Sequence, residues 1–127
     1  MKTIHSEQAP AAIGPYSQAI AAGNLVFCSG QTPLDPATMQ IVGTTIEEQT
    51  RQALKNLAAV LQGTGLSLSD IVKTTVFLKN FADFPRMNAV YAEMLGTHRP
   101  ARSTVEVSRL PMDALVEIEC VAHLREG

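Results

Sequence analysis

The 127-residue chain contains no tryptophan and few other aromatic residues, with four Phe and two Tyr. Stacking platforms for single-stranded bases are therefore scarce. Neither sign of charge is in excess either, because 10 Lys and Arg stand against 12 Asp and Glu, for a formal net charge of −2. A generic nucleic-acid binder would instead show a basic face or a high isoelectric point. Composition alone thus argues against nucleic acid as a partner.

Long apolar runs are also missing, since none approaches the roughly 20 residues that span a bilayer. Residues 1–7 lack the apolar segment of a signal peptide. We therefore expect a cytoplasmic protein with no membrane association. Apolar residues make up 46% of the chain, an ordinary value for a globular protein. The length fits one domain, and we expect residues 1–127 to form it.

Cysteine is rare as well, with only Cys28 and Cys120, which fits a reducing compartment. Neither has a second Cys or a His at metal-ligand spacing, and His5, His98 and His123 form no ligand motif. We expect no metal site. Both cysteines are interpreted as buried, unpaired thiols that pack as small hydrophobic residues.

The patterns that are present predict two helices. Thr45 and Glu48 match a capping box, and apolar residues then recur at helical spacing up to Leu61. Gly63 and Gly65 are predicted to end this first helix.

A second helix is predicted from Asp83 as N-cap to Gly96, with Pro85 in its first turn. Strands are predicted at 19–22, 25–28, 71–78, 103–107 and 115–124. The order ββαβαββ, with hairpins at both ends, predicts an α+β sandwich with both helices on one sheet face.

Polar residues alternate with apolar ones along the last two strands. Because side chains alternate between faces, Val116 and Ile118 should pack under the helices while Glu117 and Glu119 face away. We interpret Arg102 as sharing that polar face with the two carboxylates. Two explanations remain open: a solvated face of an antiparallel sheet, or a face that meets another subunit and lines a cleft there.

Four separated segments together resemble the Rid (reactive intermediate deaminase, YjgF-like) family, and they are most similar to its RidA branch. They are residues 11–19 (AAIGPYSQA), 29–31 (SGQ), 70–78 (DIVKTTVFL) and 99–107 (RPARSTVEV), the last followed by RLP at 109–111 and VEIE at 116–119. The resemblance implies a chorismate-mutase-like α+β fold with a mixed sheet. It also implies a homotrimer with a cleft at each subunit boundary, which favours the second explanation of the polar face.

The implied activity is the hydrolysis of 2-iminobutanoate, 2-iminopropanoate and their enamine tautomers to 2-oxo acids and ammonia, without a cofactor. Arg102 matches the family's substrate-binding arginine, whose planar guanidinium holds a carboxylate through two parallel hydrogen bonds. Glu117 matches the acidic residue that orients or deprotonates the attacking water. Glu119 is the second candidate for that role.

Other matched positions imply a cleft lining. Tyr16, Ser29 and Asn88 match family positions in the cleft, with Tyr16 and Ser29 offering hydroxyl groups to the reaction. Gly30 would let backbone approach the ligand closely. The structural alternatives are ordinary helix surface for Asn88 and a plain turn glycine for Gly30.

The chain departs from the family pattern in two places. Thr104 stands where many members carry a cysteine, so covalent chemistry through a thiol at this position is excluded. Its backbone N–H would still serve to bind the substrate carboxylate. The loop between Tyr91 and Arg102 is also shorter than in similar members, which bears on the size of the substrate.

Three alternative functions stay open from the sequence. One is a deaminase of a larger enamine, of the 2-aminomuconate or aminoacrylate type, in a degradation pathway. Another is a non-catalytic trimer that binds 2-oxo acids. The third is an endoribonuclease or translation inhibitor, against which the charge, the few aromatics and the absence of a His pair in any motif all argue.

Overall fold

A computed structural model describes residues 1–125 of the chain. No helix in that range is both long enough and apolar enough to cross a membrane. Short 3-10 turns lie at Leu68–Asp70, Phe81–Asp83 and Pro111–Asp113. The strands and helices follow the order β1 (Lys2–Ile4), β2 (Ala19–Ala22), β3 (Leu25–Gln31), α1 (Ile46–Gln62), β4 (Ile71–Leu78), α2 (Phe84–Leu95), β5 (Ala101–Glu106) and β6 (Val116–His123).

The capping box predicted at the start of α1 is confirmed. The Thr45 hydroxyl accepts a hydrogen bond from the Glu48 backbone N–H, and the Glu48 carboxylate accepts one from the Thr45 backbone N–H, both at 3.2 Å. At the other end, Gly65 adopts a left-handed φ of 78°, whereas Gly63 is right-handed at −60°. Only the second of the two predicted stop glycines therefore has the left-handed conformation.

The bounds of α2 also follow the sequence, because Gly96 has a φ of 63° directly after Leu95. Asp83 occupies the predicted N-cap position but makes no capping hydrogen bond. Its carboxylate instead accepts a hydrogen bond from Arg86 at 2.6 Å. The expected cap is thus replaced by an ion pair one turn into the helix.

The strands form one mixed sheet in the order β1-β2-β3-β6-β4-β5. All neighbouring pairs are antiparallel except β4 and β5, which run parallel through the crossover helix α2. Both helices pack on the same sheet face around a common core. This confirms the predicted α+β class and the placement of the helices.

Two parts of the predicted strand order are wrong. The short β1 was not predicted, since three residues with one apolar side chain, Ile4, carry no readable alternation. The expected C-terminal hairpin does not form, because β6 lies between β3 and β4 while β5 takes the sheet edge. The reason is burial: the inward residues of β6 are at most 3% exposed, as suits a central strand, whereas no residue of β5 is buried.

The strand register separates residues that the sequence pattern had grouped. Phe77 of β4 pairs with Glu117 on one side and with Val105 on the other, so these three side chains share the sheet face opposite the helices. Arg102 pairs with Thr74, which is fully buried on the helix side. The interpretation that Arg102 shares a face with Glu117 and Glu119 is therefore wrong within one chain.

Candidate functional site

Arg102 lies in a pocket on the helix side of the sheet, between β5 and α2. Its guanidinium carbon is 4.9 Å from the centroid of the Tyr91 ring and 5.4 Å from that of Phe84. These two residues are seven positions apart, so they lie on one face of α2. We call this the arginine pocket, and it is lined by Asn88, Tyr91, Ala92, Arg99, Pro100 and Arg102.

The Arg102 guanidinium is held by aromatic rings and not by an acid. In residues 1–125 no carboxylate lies within ion-pair distance of it. Glu106, the carboxylate on the same strand, accepts a hydrogen bond from the Phe81 backbone N–H at 2.8 Å instead. An arginine held by cation–π contacts with its planar donor edge unclaimed is suited to bind an external carboxylate.

Two further polar groups lie on this side of the sheet. The Asn88 side-chain oxygen is buried and accepts no hydrogen bond from the described residues, and it lines the same pocket as Arg102. The Thr104 hydroxyl is likewise buried without a partner in the described part of the chain. Because β5 is an edge strand, alternate backbone N–H groups along it, on the side away from β4, have no partner in the sheet.

Glu117 lies in a second pocket, at the junction of β3, β6 and the N-terminal segment. Burial raises the pKa of its carboxyl group above the ordinary value, and the negative charge of Glu119 adds to the effect. We call this the acidic pocket; its lining includes Tyr16, Gly30, Gln31, Pro111, Met112 and Glu117. A proton acceptor in such a place is suited to general acid–base work.

Gly30 sets the position of the Glu117 side chain. A Cβ atom added at Gly30 would lie 2.9 Å from the Glu117 carboxyl carbon, closer than real Cβ contacts allow. The strand is irregular here, since the register between β3 and β6 shifts between Cys28 and Gln31. The missing side chain thus makes room for the carboxylate, which is a more specific role than that of a turn glycine.

Tyr16 and Ser29 have different environments, because Tyr16 lines the acidic pocket whereas Ser29 is among the lining residues of neither pocket. Tyr16 is 51% exposed, and its hydroxyl accepts a long 3.4 Å hydrogen bond from the Ile13 backbone N–H. The Ser29 hydroxyl donates to the Ser17 backbone oxygen at 2.6 Å. Because its one proton is engaged, Ser29 can only accept a further hydrogen bond.

The structure therefore gathers the predicted residues into two groups. Glu117, Gly30 and Tyr16 line the acidic pocket, while Arg102 and Asn88 line the arginine pocket. The loop before β5, predicted to border the cleft, contributes Arg99 and Pro100 to the arginine pocket. Sequence reasoning missed Phe84 and Tyr91 as neighbours of Arg102, because their helical spacing marks them as core.

The two groups are too far apart in one chain to hold one small molecule. Glu117 and Arg102 lie on either side of β4, which puts about 10 Å between their strands, and their partners Phe77 and Thr74 are three residues apart along it. Their side chains also point to opposite faces. A four-carbon acid is only roughly 5 Å long, so it cannot touch both within one protomer.

The cysteines lie outside both pockets and are confirmed as free and buried. Cys28 and Cys120 are directly opposite each other on β3 and β6. A hydrogen bond with Cys28, together with burial, raises the pKa of the Cys120 thiol. A thiol with a raised pKa is a poor nucleophile, so Cys120 has the character of a structural residue.

Comparisons with known proteins agree over nearly the whole chain. A family model described as Endoribonuclease L-PSP matches residues 6–124. A RutC family protein of Pyrococcus horikoshii is 55% identical over 122 residues, covering 96% of this chain and 97% of the relative. A 2-iminobutanoate/2-iminopropanoate deaminase of Salmonella typhimurium is 49% identical over 127 residues, covering 98% of both. The solved structure of TdcF of E. coli with bound serine has a TM-score of 0.93 at 41% identity, covering 98% of this chain and 100% of that one.

Proposed function

This chain belongs to the Rid (reactive intermediate deaminase, YjgF-like) family, and on that premise we propose that it hydrolyses reactive 2-imino acids and their enamine tautomers. The proposed substrates are 2-iminobutanoate and 2-iminopropanoate, and the products are the 2-oxo acids and ammonia. The name of the Salmonella typhimurium relative states these substrates for that protein. The serine in the E. coli TdcF structure carries the same α-carboxylate.

The observation that carries the proposal is the state of Arg102. Its guanidinium lies against two aromatic rings, and no acid among residues 1–125 neutralises it. Binding a carboxylate there supplies the missing charge and fills the donor edge. The unpartnered Asn88 oxygen in the same pocket is placed to accept a hydrogen bond from a bound ligand or from Arg102 itself.

The separation of the two pockets supports a site shared between subunits. We propose that the arginine pocket of one protomer meets the acidic pocket of the next, in a homotrimer with three such clefts. Two different surface patches that bind each other form a head-to-tail contact, which closes into a ring. The sheet face opposite the helices carries exposed Phe27 and Val105, which such a contact would cover.

The chemistry follows from the proposed cleft. Arg102 and the Thr104 backbone N–H fix the carboxylate, so that the C=N carbon lies beside a water held by Glu117. The water oxygen bonds to that carbon while Glu117 takes the water's proton. Glu117 returns that proton to the nitrogen of the adduct formed from the protonated imine, and it then takes the remaining hydroxyl proton as the C=O bond forms and the C–N bond breaks. The 2-oxo acid and ammonia leave, and ammonia takes up the proton from Glu117 as ammonium, which restores the carboxylate. Ser29, as an acceptor only, is suited to the N–H of a protonated imine, with Tyr16 at the edge of the cleft.

The endoribonuclease description of the matching family model names another activity. No histidine lies among the lining residues of the arginine and acidic pockets in the described part of the chain. Histidine is the commonest general acid–base group, so the pockets favour imine chemistry.

A coupled assay tests the proposal. A pyridoxal-phosphate threonine dehydratase generates 2-iminobutanoate, semicarbazide traps what is free, and the ratio of 2-oxobutanoate to semicarbazone is measured. The wild-type protein should divert flux to 2-oxobutanoate. Arg102→Lys should abolish the diversion because the bidentate geometry is lost. Glu117→Gln should lower turnover but leave 2-oxobutanoate binding intact.

Two matched variants control for charge and stability. Arg51→Lys changes an arginine on α1 that pairs with Glu93 away from both pockets, and it should keep full activity. Glu119→Gln changes the exposed carboxylate on the same strand and face as Glu117, and it should keep most of the activity. No diversion by the wild-type protein at any concentration would refute the deaminase proposal.

A further inference from the structure

Tyr91 lies on α2, and its hydroxyl makes a hydrogen bond to the sheet that packing in the core does not require. Its hydroxyl is 2.7 Å from the hydroxyl of Thr74, and the two residues are 6% and 0% exposed. Thr74 is also the strand partner of Arg102 across the parallel β4–β5 pair. The three residues are therefore in mutual contact. Thr74 is hydrogen bonded to Tyr91, the Tyr91 ring lies against the Arg102 guanidinium, and Arg102 is the strand neighbour of Thr74.

Phe84, the second ring near Arg102, is held less firmly. It stacks on Phe81 with ring centroids 5.0 Å apart, and Phe81 is itself 44% exposed. Tyr91 is the nearer ring, at 4.9 Å against 5.4 Å from the guanidinium carbon. Among residues 1–125, the hydrogen bond from Tyr91 to Thr74 is the one polar contact that fixes either the Tyr91 or the Phe84 ring to the sheet.

We propose that Tyr91 is a positioning residue for substrate binding. Its ring fixes the plane of the Arg102 guanidinium, and the buried hydrogen bond to Thr74 fixes the ring. An arginine ordered in advance loses less side-chain freedom when the carboxylate binds, so the affinity is higher. The inference rests on the proposed deaminase function, in which Arg102 binds the substrate carboxylate.

Three variants separate the effect of the Tyr91 ring from the effect of its hydrogen bond to Thr74. Tyr91→Leu removes the ring, Tyr91→Phe removes only the hydroxyl, and Thr74→Val removes the partner hydroxyl at similar volume. Because Arg102 binds the carboxylate in both the ground state and the transition state, KM should rise while kcat changes little. We expect KM for 2-iminobutanoate and Kd for 2-oxobutanoate to rise about tenfold in Tyr91→Leu and about threefold in each of the other two.

The double variant Tyr91→Phe with Thr74→Val gives a sharper readout. Both changes break the same hydrogen bond, so KM in the double variant should match that in either single one. Val90→Ala is the matched control, since Val90 is a 4% exposed neighbour on α2 that is not among the residues lining the arginine pocket. It should lower Tm while KM stays at the wild-type value. If Tyr91→Leu fails to fold, the two hydroxyl variants still decide the question.

A spectroscopic measurement separates this inference from the proposed function. The side-chain Nε–H signal of Arg102 in 15N NMR should carry a ring-current shift and a high order parameter, both reduced in Tyr91→Leu. If the wild-type protein neither binds 2-oxobutanoate nor hydrolyses the imine but the signal responds as stated, the positioning stands and the deaminase proposal fails. If the wild-type protein is active while all three variants lower Tm but leave KM and the Arg102 signal unchanged, Tyr91 is purely structural and the inference is overturned.

Discussion

At the scale of single residues, Glu117 shows how the fold prepares a group for chemistry. Its carboxyl is partly buried against Gly30, and the next outward residue of the strand, Glu119, is also acidic. Burial comes first and the neighbouring charge second in raising the pKa of Glu117. Both effects favour the protonated form, so the carboxylate is a stronger base than a free glutamate with a pKa of about 4.3.

A pH profile tests this assignment. Because protonated Glu117 cannot accept the proton of water, kcat/KM should fall as the pH decreases through its raised pKa. Glu119→Gln removes the repelling charge and lowers the pKa of Glu117, so the acidic limb should move to lower pH. Comparing the two proteins at each pH cancels the uncatalysed hydrolysis of the imine. An acidic limb that Glu119→Gln leaves in place would contradict the assignment.

The sequence assigned candidate roles to these residues but did not indicate their surroundings. Arg102 and Glu117 stand in motifs that can be matched position by position, so their candidate roles were accessible. The spacing of Tyr91 along its helix indicates a core position, and the residue is buried. That it also covers a guanidinium depends on the meeting of α2 with β5, which no local pattern encodes.

At the scale of elements, the start of α1 is held by an unusually complete cap. The Glu48 carboxylate accepts hydrogen bonds from the Thr45 hydroxyl and from the backbone N–H groups of Thr44 and Thr45. These bonds lower the pKa of Glu48, the hydroxyl of Thr45 having the largest effect. The carboxylate half of the capping box is therefore intact at neutral pH and weakens as the pH falls through that lowered pKa.

Thr45→Ala should lower the free energy of unfolding by about 1 kcal/mol, the usual cost of an N-cap hydroxyl. Urea denaturation at one fixed protomer concentration measures the loss. Thr44→Ala is the control, since its neighbouring hydroxyl makes no capping bond in the structure. Equal stability of the two variants would show that the side-chain cap contributes nothing.

Strand order was harder to predict than element bounds. The run from Ile71 to Leu78 was predicted to the residue, because β-branched side chains alternate there between clear end signals. The central position of β6 was not predicted, since it depends on which strand carries apolar side chains that are buried on the helix side. The strand register determines which face Arg102 occupies. Because Arg102 pairs with Thr74, its side chain lies on the helix side, which the alternation along β5 alone does not reveal.

At the scale of the whole molecule, the described chain holds two separate pockets and a sheet face that the helices do not cover. Phe27 and Val105 are 47% and 42% exposed on that face. Exposed apolar area of this kind is typical of a subunit contact. The acidic pocket with Glu117 lies beside it, and the arginine pocket with Arg102 lies on the opposite side of the sheet. That the chain forms a single domain from residue 1 to 127 stays a prediction of the sequence.

The last prediction tests the shared site and the assembly together. Light scattering should give about 41 kDa, three times the 13.6 kDa chain. Trimers containing both Arg102→Lys and Glu117→Gln subunits should then regain activity, although each variant alone is inactive or impaired. A cleft is intact whenever a Glu117→Gln protomer supplies Arg102 and its neighbour, an Arg102→Lys protomer, supplies Glu117. In a trimer that holds both kinds of subunit, one of the three clefts has that arrangement, so about a third of the clefts in such trimers are intact.

The recovered activity therefore has a definite expected size and a definite control. Subunits are mixed by co-expression with two different affinity tags, and trimers carrying both tags are purified before the coupled assay. Wild-type subunits mixed with the double variant Arg102→Lys, Glu117→Gln keep the same average number of altered residues. In a trimer that holds both kinds, one cleft of three is intact when two subunits are wild type and none is intact when only one is, so a shared site gives about a sixth of intact clefts. If each site were built within one chain, that control mixture would retain about half of the wild-type activity while the two single variants would complement not at all. A monomer at micromolar concentration would contradict the shared cleft directly, because a single protomer holds Arg102 and Glu117 on opposite faces of its sheet.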